Sequence, residues 1–350
     1  MQITEILSPY YEVAWLPWAV QYFFLIGIAA TSAIVAAACA FAHPGSDWDR
    51  VLPSVTTLLL VCAIAAPVSL LADLHQPGRF WHFYVNFTPW SWMSWGAVLL
   101  PVFTIVALVF GALWWFGFRR LQRATGVFLV LCAISILVYT GAEVMIVRAR
   151  VLWHTYLLPV NFVLTAFLGT VGGILLVTRF LSAAYAPLPR GPVLVMGIAA
   201  SVALVLAALG WMLLGLSGLD ASFPMAYAVF AEFPAWRFGL MASLVAGAVI
   251  LAMLWLWSAR EKGMVFQIML AVMMLSSAWM FRWVVLMSIQ SVPKYGAGLY
   301  LYSMPLGGDG LMGIVGMFGL CAALISILTC ALSLYPENPF RRSRCVQNVN

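Results

Sequence analysis

Glu143 stands in an apolar stretch, with Tyr139 four positions earlier. Residues four apart share one helix face, so a carboxyl group and a phenol would meet there. An ionisable side chain inside a bilayer is costly and marks a functional site by default. Carboxylates and imidazoles of this kind accept protons. Arg148, five positions on, offers Glu143 an ion-pair partner and a purely structural alternative. Asp73, Arg237 and Arg282 are further charges within or at the ends of apolar runs, and Gln21 and Asn161 are buried-amide candidates. Asp73 can anchor the next loop by pairing with Arg79, Arg237 can snorkel to the interface, and Arg282 can neutralise Glu143 or Asp73. A bis-histidine haem needs imidazoles facing each other inside a bundle. His75, His82 and His154 fall in loops or at a helix start, which argues against one. The six cysteines are scattered and form no Cys-x-x-Cys pair, so neither a zinc site nor an iron–sulfur cluster carried by this chain is indicated.

The elements that position these residues follow from composition. The chain has 350 residues, 65% of them hydrophobic and only 8% charged, against about 25% charged in a soluble domain. Apolar runs recur at roughly 20–28 residues, long enough to cross a ~30 Å hydrocarbon core. Strict alternation is absent, which argues against a β-barrel. The expected fold is an all-α integral membrane protein, one polytopic domain over 1–350. Its nine helices are placed near 15–42, 51–73, 90–116, 124–147, 153–181, 191–216, 236–258, 263–290 and 310–334. The first run begins with Glu5 and Glu12 and reads as a retained helix, not a secretory signal. Gly307-Gly308-Asp309-Gly310 reads as the turn into the last helix.

The long connections, 74–89, 217–235 and 291–309, fall on the same side as the N-terminus. That side holds five Lys or Arg and the opposite side eleven, with Arg282 inside a helix. The richer side is cytoplasmic by the positive-inside rule, so the net charge of +6 reflects orientation and not nucleic-acid binding. The N-terminus and the long aromatic loops then face outward, which in a bacterium is the periplasm. Counting depth along alternating helices puts Asp73, Glu143, Arg282, Arg237, Gln21 and Asn161 all in the outer half. The inner half is nearly pure hydrocarbon. A channel or pump uses polar groups across the whole depth, whereas a site reached from lipid near one surface uses only this half. Helix 1 (Gln21 to Gly27) and helix 5 (Asn161 to Gly169) each put an amide before an aromatic-glycine stretch. Two related four-helix bundles plus a ninth helix would fit that repetition.

The segment Ala72-Asp73-Leu74-His75-Gln76-Pro77-Gly78-Arg79-Phe80-Trp81-His82, followed by Met93-Ser94-Trp95-Gly96, resembles the membrane subunits of the polysulfide-reductase (NrfD-like) family. Trp15-Leu16-Pro17-Trp18, leading into Gln21-Tyr22-Phe23-Phe24 and Gly27, fits the same pattern. Within the family this lead-in and the nine helices look most like the membrane subunits of tetrathionate reductases. The resemblance implies a quinol-binding anchor for a periplasmic molybdopterin subunit and a ferredoxin-like iron–sulfur subunit in the bacterial inner membrane. Menaquinol would be oxidised near the outer surface, and the terminal acceptor's chemistry would belong to another chain. In the family a tyrosine of helix 4 touches the quinone, and Tyr139 is the only tyrosine in helix 4 here. Trp18, Tyr22 and Trp81 would supply pocket walls and Gln21 a bond to one quinol oxygen, with Arg79 beside them. Glu143, Asp73 and His82 would take up the released protons. The related polysulfide enzyme adds a histidine on helix 1, and this helix has none. The competing readings are a solute transporter, kept alive by Pro67, Pro101 and Gly172-Gly173 at possible helix breaks, and a dihaem cytochrome.

Overall fold

Lipid offers no partners to a peptide N–H or C=O, so each apolar run satisfies its own backbone by becoming helix. The structure, a computed structural model, describes residues 15–74, 76–181, 188–232, 234–290 and 303–334. Among these residues nine helices are long and apolar enough to cross a membrane. They are α1 (Pro17–Phe41), α2 (Asp47–Asp73), α4 (Trp92–Trp115), α5 (Arg119–Met145), α6 (Leu157–Val177), α7 (Arg190–Leu216), α9 (Pro234–Ala259), α10 (Met264–Trp283) and α11 (Leu311–Leu334). Two shorter helices, α3 (His82–Val85) and α8 (Ser222–Glu232), lie in the long connections after α2 and α7. The chain is an all-α, multi-pass membrane protein.

The helix ends follow the local chemistry. Ser46 caps α2 by accepting the Asp49 amide at 3.3 Å, and Asp47 and Asp49 lie where the helix dipole favours anions. Asp49 also pairs with Arg119 at 2.8 Å. Arg119 donates to the Ala42 carbonyl, and Arg123 to that of Ala40. Together they tie the ends of α1, α2 and α5. The fifth run starts later than expected, at Leu157, because 150–156 form turns. There Asp220 accepts hydrogen bonds from Thr155 and Ser222. Burial raises the Asp220 pKa, but these hydrogen bonds outweigh it and hold the carboxyl below its usual range.

Packing sorts the spans into two groups. In the first, α1 lies against α2 and α5, and α4 lies against α5 and α2. In the second, α6 lies against α10 and α7, and α9 against α10 and α7. Contacts of α1 with α6 and α10 join the groups, and α11 packs on α2 and α1. The two four-helix bundles with an added helix are therefore present. Helix α1 is almost wholly buried because it is built from small residues. A methyl group at Gly27 would stand 3.0 Å from the Ala166 Cβ.

The supposed break points do not interrupt the helices. Helices α2 and α4 run unbroken through Pro67 and Pro101. Gly172 and Gly173 lie in the continuous α6, where added Cβ atoms would meet Ala271 and Leu58. The one departure from α geometry within a described span is a π-helical turn, Val284–Ser288, continuing α10. Its Val285 carbonyl accepts the Trp153 indole N–H at 2.7 Å.

At mid-span Thr31 and Thr170 share a hydrogen bond of 2.7 Å, with Ser32 3.3 Å from Thr170. Replacing Thr170 by Val should cost only about 0.6 kcal/mol, the average for such bonds in membranes. Thermal unfolding in detergent measures it, and a loss several times larger would mean that this cluster does more than join α1 to α6.

Candidate functional site

The start of α1 is pinned from three directions. Asp73, the last residue of α2, accepts the Leu16 amide at 3.2 Å, taking up one of the N-terminal donors of α1. Gln290 accepts the Trp15 amide at 3.1 Å and donates to the Trp15 carbonyl at 3.2 Å. The Trp15 ring stacks on Phe23 and on Trp153. Arg150, itself buried, donates to the carbonyls of Ile289 and Gln290 and lies over Trp153. Pro17 sits at the first turn, where its fixed φ suits a helix start.

This frame aims Gln21 and Tyr22 inward. The Tyr22 and Tyr139 phenols and the Glu143 carboxyl form one run of neighbours, and the charge of Asp73 is felt at Glu143. Tyr22 is 1% and Tyr139 3% exposed. The Tyr22 hydroxyl is buried without a hydrogen-bond partner among the described residues. So are both polar atoms of the Gln21 amide, in a side chain with no exposure. Buried polar groups are rarely left unpaired. Three orphaned atoms on consecutive residues fit a place where a small polar ligand, or water in its stead, completes the bonding.

Gly96 makes room for this run. A Cβ there would overlap the Tyr139 ring and hydroxyl, so only glycine lets α4 approach the phenol. Two residues earlier, Ser94 accepts the Thr88 amide at 3.3 Å and holds the loop before α4. It also lines a hollow of about 590 Å³ with Arg79, His82 and Asn86.

The structure thus gathers Tyr22, Tyr139, Glu143 and Asp73, with Gln21 next to Tyr22. Trp18 turns toward α11, where a Cβ on Gly313 would lie 2.7 Å from its ring. Arg79, Trp81 and His82 are exposed on the connection between α2 and α4, Trp81 packed edge-on against His82. His75 lies outside the described residues.

The ion-pair expectations at Glu143 need correction. Among the described residues no ion pair joins Glu143 to Arg148. Five positions is about 140° round a helix, and Arg148 lies beyond the C-cap of α5, on an exposed turn. Arg282 is 1% exposed, and among the ion pairs of the described residues none joins it to Glu143. It faces α6, donating to Thr165 and to the Phe162 carbonyl, between the Phe162 and Phe281 rings. Asp73 engages the start of α1, and Arg79 lies exposed on the connection after α2. Arg237 donates to the carbonyls of Phe230 and Ala231 near the end of α8. Sequence reasoning missed Gly96, Gln290 and Arg150 as site-building residues. Gly96 was visible only as part of a motif, and the other two have no local signal.

Comparison with known proteins identifies the family. Residues 7–294 match the family described as Polysulphide reductase, NrfD. A tetrathionate reductase subunit of Salmonella typhimurium (strain LT2) is 35% identical over 336 residues, covering 93% of this chain and 94% of the relative. With a family match over most of its length and a relative this similar from end to end, the chain belongs to the NrfD polysulphide reductase family.

Proposed function

We propose that this chain is the quinol-oxidising membrane subunit of a tetrathionate- or polysulfide-reductase-like complex in a bacterial inner membrane. The N-terminus is periplasmic and the C-terminus cytoplasmic, following the distribution of Lys and Arg. The observation that carries the reading is the run of the buried Tyr22 and Tyr139 phenols and the half-buried Glu143, beside a Gln21 amide without a partner among the described residues. Its orphaned donors and acceptors fit the two oxygens of a menaquinol ring.

A bound quinol supplies two electrons and two protons. Gln21 and Tyr139 hold the ring oxygens, and the Tyr22 ring closes an apolar wall. Glu143 accepts the two protons in turn, first from the oxygen held by Tyr139 and, once it has passed that one to Asp73, the second from the oxidising ring. Asp73, between Glu143 and the outer connection, relays each outward, and His82 and Arg79 line the hollow on the way. The electrons leave to a ferredoxin-like iron–sulfur subunit docked on the outer aromatic loops, and from there to a molybdopterin subunit. Trp81 belongs to that loop surface.

The test compares quinol-dependent and artificial-donor reduction of the acceptor by the whole complex. Tyr139→Phe removes one buried hydrogen-bonding group, worth about 1–3 kcal/mol, so quinol-dependent turnover should fall about tenfold or more. Artificial-donor turnover should not change. Full quinol activity in this variant would remove Tyr139 from the site.

A further inference from the structure

We propose that the second bundle carries a ligand site of its own, for a neutral molecule with a long hydrocarbon chain and hydrogen-bonding oxygens at one end. The site is a cavity of about 420 Å³ among α6, α7, α9 and α10, within the size range of small-molecule sites. It is separate from the Tyr139 cluster and does not depend on the reading of that cluster.

Four observations define the ligand. First, the walls are hydrocarbon and ring faces. Trp211 and Trp236 both line the cavity, and their indole N–H groups are engaged by Ser222 and by the Ala226 carbonyl. Second, the few polar groups are neutral and incompletely paired. Ser201 is 5% exposed, lines the cavity and has a hydroxyl with no partner among the described residues. The Asn161 side chain lines it too and donates to the Leu157 carbonyl. Third, among the described residues no titratable side chain lines the cavity. A charged solute is excluded by its desolvation cost, and the site can hold a molecule without exchanging protons with it. Fourth, Val205 and Leu244 line the cavity yet are 45% and 59% exposed on the outside of the bundle. The opening therefore faces the hydrocarbon of the bilayer, and the ligand arrives through lipid.

Gly247 is the residue that keeps the space open. It lines the cavity, and a Cβ built on it meets nothing within 4 Å. Elsewhere in the bundles, glycines such as Gly172 and Gly173 sit where neighbours crowd them. At Gly247 no close approach explains the missing side chain, and any larger residue projects into the cavity.

An isoprenoid quinone, and the acyl chain of a phospholipid with its ester oxygens while the charged headgroup stays outside the cavity, both carry the required chemistry, so the experiment uses one probe of each. The full chain in its complex is placed in nanodiscs. One sample contains a phosphatidylethanolamine with a diazirine on its acyl chain, the other an isoprenoid naphthoquinone with a diazirine on its tail. After illumination, labelled peptides are mapped by mass spectrometry. At least one probe should label α6, α7, α9 or α10 at cavity-lining residues, and an excess of its unlabelled parent should compete. Gly247→Leu should lower that labelling about fivefold, a loss of ~1 kcal/mol in binding, with unchanged quinol turnover and unfolding temperature. The probe that labels names the source of the ligand. Labelling that does not compete, labelling that Gly247→Leu leaves unchanged, or none at the cavity with either probe would overturn the proposal. Competition in the wild-type protein decides the matter even where the variant is poorly assembled.

Discussion

Glu143→Gln should lower quinol-dependent turnover about 100-fold or more, the usual contribution of a positioned proton acceptor, and leave artificial-donor turnover intact. The substitution keeps the shape and hydrogen-bonding capacity of the side chain and removes only its ability to take a proton. Position makes the effect large. Glu143 follows Tyr139 by one turn on the same face, and Asp73 is the neighbouring carboxyl group. Asp73 is already committed to the Leu16 amide, so it is poorly placed to replace Glu143 as first acceptor. Glu143→Asp, which keeps the acid and shortens its reach, should fall between wild type and Glu143→Gln. The measurement is steady-state acceptor reduction by membranes or purified complex, with each donor in turn. Near-normal quinol turnover in Glu143→Gln would leave Glu143 as a half-buried polar group without a role in proton transfer.

Gly96→Ala should be nearly as damaging, for a steric reason. A single methyl group at 96 occupies the space of the Tyr139 ring and hydroxyl. Either the phenol turns away from its neighbours or α4 moves off α5, and overpacking of this kind costs about 1–3 kcal/mol. Quinol-dependent turnover should drop at least as far as in Tyr139→Phe, with a lower unfolding temperature. Adding Tyr139→Leu to Gly96→Ala should recover the unfolding temperature, because the ring that clashes is gone. It should not recover quinol turnover, because the phenol is gone too. A Gly96→Ala protein with wild-type stability and turnover would show that the approach of α4 to Tyr139 is not needed. The pair of measurements separates the packing role of Gly96 from the hydrogen-bonding role of Tyr139.

Much of this protein was legible in order and composition. Nine apolar runs and the paucity of charge dictate nine spanning helices, because in lipid the backbone has only itself to bond to. Tyr139 and Glu143 share a face by their spacing alone, since helix periodicity is local. The turn at 307–310 also followed from its glycines. Ion-pair partners were less legible. Arg148 and Arg282 are cations near Glu143 by count of residues or by depth, yet one lies past the helix end and the other faces α6. Depth along a helix is a sequence property, but the direction a side chain faces relative to other helices is not.

By itself, then, the sequence determined the class of the molecule, the number of its spans, the side with more basic residues and the pairing of Tyr139 with Glu143. Each of these depends on hydrophobicity, charge or helical period, which act over a few turns. Only the tertiary structure decided that Tyr22 and Asp73 join that pair, that Gly96 makes room for the phenol and that Gln290 and Arg150 brace the start of α1. Gln290 reaches Trp15 across 275 positions. Such contacts arise from how whole helices pack, and no local pattern in the chain encodes them.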